Sequence, residues 1–252
     1  MLFLKLDDTI TIDEQITMYK NYPHFIRNAT LEIYPIVLHD AILSKDNELI
    51  MKILNERMNI SVDAKDINGI NILGNAIINN SSYDIINLLL EKYRINVNST
   101  DNNGISILAH AIINRCDITI INLLISNHAY VNNTDNNKLS VLAYAIIYKS
   151  DISILELLLN SGANVNILDK YNNNILQIAI KRESDDLIIY LLVLHGADYL
   201  YKGSSLYSPF KQAVINQNIK YILIYYDKAY SEKASSEKIV EMDKIVKYYS
   251  KK

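Results

Sequence analysis

Six alanines stand at Ala41, Ala76, Ala111, Ala145, Ala179 and Ala213, separated by steps of 35, 35, 34, 34 and 34 residues. A fixed period of this length marks an array in which one supersecondary unit stacks on copies of itself. Other residues keep the same register. Asp66, Asp101, Asp135 and Asp169 lie ten residues before four of the alanines. The apolar doublets Ile53-Leu54, Leu88-Leu89, Leu123-Leu124, Leu157-Leu158 and Leu191-Leu192 begin twelve residues after five of them. Each unit therefore reads as a polar turn, a short helix around the alanine, a second helix ending in leucines, and another turn.

Local chemistry supports that plan. Asn71, Ser106, Ser140, Asn174 and Ser208 sit five residues before an alanine, and all can accept a hydrogen bond from the free amides of a helix's first turn. The apolar pairs that follow, such as Ile107-Leu108 and Val141-Leu142, give the first helix a buried face. At Pro209 the missing N–H is harmless, because first-turn amides have no intrahelical partner. Gly162-Ala163 and Gly196-Ala197 end second helices, where glycine can adopt the left-handed conformation. The 34-residue step predicts one extra residue between the two helices, in stretches such as Asn79 to Asp84, and none in the sixth unit. Leu123 and Leu157 are expected to pack against neighbouring units, and Asn98, Asn132 and Asn166 to bond their own turns or take positive φ.

These residues resemble ankyrin repeats. The family pattern D-x-x-G-x-T-P-L-H-x-A is echoed from Asp66 to Ala76 and from Asp101 to Ala111, and its closing G-A-x-V-N is spelled out from Gly162 to Asn166. Tetratricopeptide repeats have a similar period but lack both motifs. The resemblance implies an all-α solenoid of stacked helix-turn-helix units with short finger turns and capping helices. Only Leu38-His39-Asp40-Ala41 keeps the family's histidine and only Ser208-Pro209-Phe210 its proline, which predicts an array with few polar links between units. The repeats are expected over 31–228, in units of about 31–65, 66–100, 101–134, 135–168, 169–202 and 203–228. A capping helix over 1–30 is signalled by Thr11-Ile12-Asp13-Glu14, and another over 229–252 starts at Ser236. In it Ile239, Met242, Val246 and Tyr249 would share a buried face, with Glu237, Lys238, Asp243, Lys244 and Lys247 solvated.

Composition narrows function. With 25 Lys+Arg against 28 Asp+Glu, there is no electrostatic case for nucleic acid or an anionic membrane. The run Leu187 to Leu194 is far below the roughly 20 residues that span a bilayer. Cys116 is the only cysteine, so no internal disulfide forms; Arg115 beside it could lower its thiol pKa, but a structural role is expected. The five histidines make no short metal-binding pair, and no phosphate-binding or nucleophile-elbow motif is present. The expectation is a cytoplasmic, monomeric, non-catalytic chain with no cofactor or metal and with another protein as its partner.

The resemblance also implies where that partner lands, on the finger turns and on the residues just after each alanine. Mapped residue by residue, the candidates are Asn136, Asn137, Lys170 and Tyr171 on the fingers, and Ile113, Asn114, Ile147, Tyr148, Lys181 and Arg182 after the alanines. If the isoleucines turn inward instead, the row shifts to His110, Tyr144 and Ile178; Tyr144 is a candidate on that ground. The alternative function is self-association through the tyrosine-rich last repeat, around Tyr225-Tyr226.

Overall fold

Helix starts fall where the capping residues put them. The computed structural model describes residues 34–56, 65–203, 207–216, 218–231 and 236–249; the expected helix at Thr11-Glu14 lies outside them. Asn71, Ser106, Ser140, Asn174 and Ser208 each accept a hydrogen bond from the backbone N–H three residues on, satisfying an otherwise orphaned donor. They open α3 (Ile72–Ile78), α5 (Ile107–Ile113), α7 (Val141–Ile147), α9 (Ile175–Lys181) and α11 (Pro209–Ile215). With α1 (Tyr34–Leu43) these are the inner helices. Their partners are α2 (Asn47–Glu56), α4 (Tyr83–Glu91), α6 (Ile118–Ser126), α8 (Ile152–Asn160), α10 (Asp186–Leu194) and α12 (Ile219–Ser231), and α13 (Ser236–Tyr249) follows. Among the described residues the only β pairing is three isolated bridges, Lys65 to Asn71, Thr100 to Ser106 and Thr134 to Ser140. They pinch the bases of three finger turns.

Two rows of helices result. Each inner helix packs on the next inner helix and on the outer helix of its own unit. Outer neighbours touch as well, α2 with α4, α4 with α6, α6 with α8, and α10 with α12. The repeating alanines lie in the seam. Ala41, Ala76, Ala111, Ala145 and Ala179 are all 0% exposed and Ala213 is 3% exposed, so a larger side chain there would force neighbouring helices apart. In the leucine doublets the second member is the deeper one: Leu124 and Leu158 are fully buried, Leu123 is nearly so, and Leu157 is only half-buried. Leu157 packs against the core as expected, but at the rim of the seam, where one helical step of 100° from Leu158 carries it.

Four residues join the helices in the second to fifth units (79–82, 114–117, 148–151 and 182–185), against three (216–218) in the sixth, as the 34-residue step predicts. Each of these four turns holds a left-handed residue, at Asn80, Arg115, Lys149 and Glu183, with φ of 53° to 55°, as does the three-residue turn of the first unit at Lys45. The N–H of the following residue reaches back to the repeat alanine's carbonyl, as in Ser150 to Ala145 at 2.9 Å. This closes the helix with a Schellman motif.

The asparagines after valine do something other than expected. Asn98, Asn132 and Asn166 bond the next unit rather than their own turn, and none has positive φ. Asn132 donates to the Gly162 carbonyl (2.9 Å) while its Oδ1 accepts from the Asn164 N–H (2.7 Å). Asn98 clamps His128 and Tyr130, and Asn166 clamps Gly196 and Asp198, in the same way. The polar links that the missing histidines would have made are supplied here, which corrects the expectation of few polar links between units. Asn132→Ala should lower stability by about 1–2 kcal/mol, two hydrogen bonds of ordinary net worth. Asn132→Asp should recover only part of it, because a carboxylate still accepts from the Asn164 N–H but cannot donate to the Gly162 carbonyl. Urea titration of the three proteins decides; an unchanged midpoint in the alanine variant contradicts the clamp.

At the C-terminal end α13 packs on α11 and α12, with Met242 fully buried. Lys238 is half-buried, not solvated as expected, because its Nζ lies 4.6 Å from the centre of the Tyr199 ring, a cation–π geometry. Tyrosines here fill the interior. Tyr225 is 0% exposed and stacks on Tyr199 at 5.1 Å, and Phe210 meets Tyr226 edge-on. No helix among the described residues is long and apolar enough to cross a membrane.

Candidate binding surface

Each finger is a turn folded around its aspartate. One oxygen of Asp66, Asp101, Asp135 and Asp169 accepts from the N–H groups two and four residues on, at 2.8–2.9 Å. The second oxygen is held by the inner helix or the finger itself: Asn75 on Asp66, His110 on Asp101 (3.2 Å), Tyr144 on Asp135 (2.9 Å) and Asn173 on Asp169 (2.9 Å). Three of the four fingers are thereby fixed to the helix behind them, and the fourth is braced within itself, before any partner arrives, which lowers the ordering cost of binding.

Adjacent fingers are tied as well. The backbone N–H of Asn102 donates to Asn68, that of Asn136 to Asn103 and that of Lys170 to Asn137, all at 2.9 Å. The side chains of Asn102 and Asn136 repeat the link, and Lys170 Nζ reaches Asn137 Oδ1 at 2.7 Å. This closeness explains Gly104. With φ of +79°, a Cβ added there would also lie 2.7 Å from Asn136 Oδ1.

The sequence candidates divide by exposure. Asn136, Asn137, Lys170, Tyr171, Tyr148, Lys181 and Arg182 are exposed, Tyr171 by 62%. Ile113 and Ile147 are half-buried against the core, and Asn114 turns its amide back to the His110 carbonyl. Tyr144 and Ile178 are buried and His110 largely so, so the shifted row holds the fingers rather than facing outward. Tyr148 borders a groove of about 410 Å³ between the helix–helix turns of the third and fourth units, beside Ile118 and Lys149. The residue missed is Ile67, 94% exposed at the tip of the first described finger. It follows Asp66 just as Asn102, Asn136 and Lys170 follow their aspartates, so aligning the units in register would have found it.

Cys116 is buried, and burial pushes its thiol up to about 11. It is not activated by Arg115. No group of three or more His, Cys, Asp or Glu side chains among the described residues could hold a metal ion.

Burial of His110 lowers its pKa from the ordinary 6.5, against the opposing pull of Asp101. The unfolded chain therefore takes up this proton first, and stability that is complete above about pH 6.5 falls as the pH drops through the lower folded value. His110→Asn, which copies the Asn75 arrangement, should flatten the loss of stability between about pH 7 and 5. Equal slopes in wild type and variant would remove His110 from that account.

A search of curated proteins gave no match. The family model described as ankyrin repeats, in three copies, matches residues 38–135 and 114–203. Together these stretches span most of the 252-residue sequence, and they are the part in which the capped inner helices, leucine-bearing outer helices and finger turns recur. The chain belongs to the ankyrin-repeat family.

Proposed function

We propose that this chain is a non-catalytic binding module of about six units over 31–228, acting in the cytoplasm as a monomer. It serves as an adaptor or competitor that holds one cellular protein along its fingers and the exposed ends of its inner helices. Ankyrin repeats are in general protein–protein interaction modules. The observation that carries the reading is the set of pre-tied fingers bearing Ile67, Lys170 and Tyr171 at their exposed tips. Exposed aromatic residues on a rigid support have the character of binding hot spots. The burial of Cys116, which raises the pKa of its thiol, fits a structural chain rather than a thiol enzyme.

The test is affinity capture from cell lysate with the wild-type chain and with a Tyr171→Ala/Lys181→Ala variant. Loss of a specific captured protein from the variant, at unchanged thermal stability, is the expected result. Identical captured sets would remove the fingers and inner-helix ends from the binding role.

A further inference from the structure

Exposed carboxylates are sorted by face, whereas exposed cations occur on both, with Arg94, Arg115 and Lys149 in the turns flanking outer helices. On the finger and inner-helix side of the second to fifth units, the exposed charged residues are Lys65, Lys138, Lys170, Lys181 and Arg182, with Glu183 exposed beside Arg182 in the turn that ends α9. The four finger aspartates are half-buried or buried and turn their oxygens onto turn amides and inner-helix side chains. Every exposed carboxylate between residues 65 and 200 lies instead in an outer helix or the turns flanking one, Asp117, Asp151 and Glu156 among them. A chain with a formal charge of −3 thus presents a cationic face.

Three of those cations are uncommitted. The side chains of Lys138, Lys181 and Arg182 have no hydrogen-bond or ion-pair partner among the described residues, whereas Lys65 bonds the Thr100 carbonyl and Lys170 bonds Asn137. An unpaired exposed cation gains most from an incoming carboxylate, since it loses no existing partner. Between the cations stand neutral asparagines and the apolar tips Ile67 and Tyr171. Neighbouring units repeat at roughly the 8–10 Å spacing of packed helices, and a peptide extended as polyproline II advances about 3.1 Å per residue with three residues per turn, so every third side chain faces the same way. Side chains three residues apart on such a peptide would therefore meet successive fingers.

From this sorting of charge we infer that the partner contacts this face through an extended acidic segment, with Asp or Glu about three residues apart and an apolar residue seated at Tyr171. The inference rests on the binding role proposed above and specifies the partner's chemistry. A nucleic acid is disfavoured, because five scattered cations beside an acidic outer row do not make the continuous phosphate track that polyanion binding needs.

The experiment selects binders to the immobilised full-length chain from a random 16-residue peptide library. Affinities of the recovered peptides, and of a dT20 oligonucleotide, are then measured by fluorescence anisotropy at low and high salt. The expected result is peptides enriched in Asp and Glu whose affinity falls at least about tenfold with Lys138→Glu/Lys181→Glu. Their binding should weaken with salt and be unchanged by Asp151→Lys/Glu156→Lys on the outer row. Peptides without acidic enrichment that still lose binding with Tyr171→Ala would overturn the acidic partner and leave the binding face standing. If no recovered peptide responds to any substitution on this face, both fail. Tighter binding of dT20 than of the peptides would reassign the cations to nucleic acid.

Discussion

Leu158→Ala is expected to lower the stability of the chain by about 2–5 kcal/mol, while Leu157→Ala, one residue earlier, lowers it by under about 2. Leu158 is 0% exposed in α8, where truncation opens a cavity that flanking helices cannot close without leaving their own neighbours. Leu157 is half-buried, so its loss is mainly one of transferred surface. The contrast is diagnostic because chemistry and helix are the same and only the depth differs. In urea titration, equal losses for the two variants, or less than about 1 kcal/mol for Leu158→Ala, would contradict the packing described for α8.

A gain of about 1.5–3 kcal/mol is expected from Arg115→Gly/Lys149→Gly/Glu183→Gly. Each of these residues closes an inner helix with φ between 53° and 55°, a conformation that costs an L-residue roughly 1–2 kcal/mol and glycine nothing. Glycine's greater freedom in the unfolded chain returns part of the gain, leaving about 0.5–1 kcal/mol per site. All three side chains are exposed and make no hydrogen bond or ion pair among the described residues, so nothing else is lost. Distinct sites of this kind should add. Thermal melting of the triple variant checks it: a rise of several degrees is the prediction, and an unchanged or lower midpoint would mean that these caps are not strained.

The fold was legible because its determinants are local and repeated. A cap such as Ser140, the alanine five residues later and the leucine pair beyond it each act within one helix or between adjacent ones, and period alone brings them into register. The asparagine clamps were not legible in the same way. Asn132 carries the same local signal as any turn asparagine, and its bonds to Gly162 and Asn164 cross 30 and 32 residues of sequence. The candidate surface was half legible. Lys170, Tyr171, Lys181 and Arg182 follow from position in the unit. Tyr144 misled because a phenol both suits an interface and satisfies a buried carboxylate, and here burial and the bond to Asp135 raise its pKa. Whether Ile113 and Ile147 face in or out depends on how closely neighbouring inner helices approach, which no single unit encodes.

The central claim is that one face, the fingers with the inner-helix ends, does the binding. Amide hydrogen exchange of the chain with and without its captured partner tests it most directly. New protection should fall at residues 102–103, 136–138, 170–173 and 181–182, and α4, α6 and α8 should exchange as they do in the free chain. Protection gained on those outer helices, with the fingers unchanged, would contradict the account.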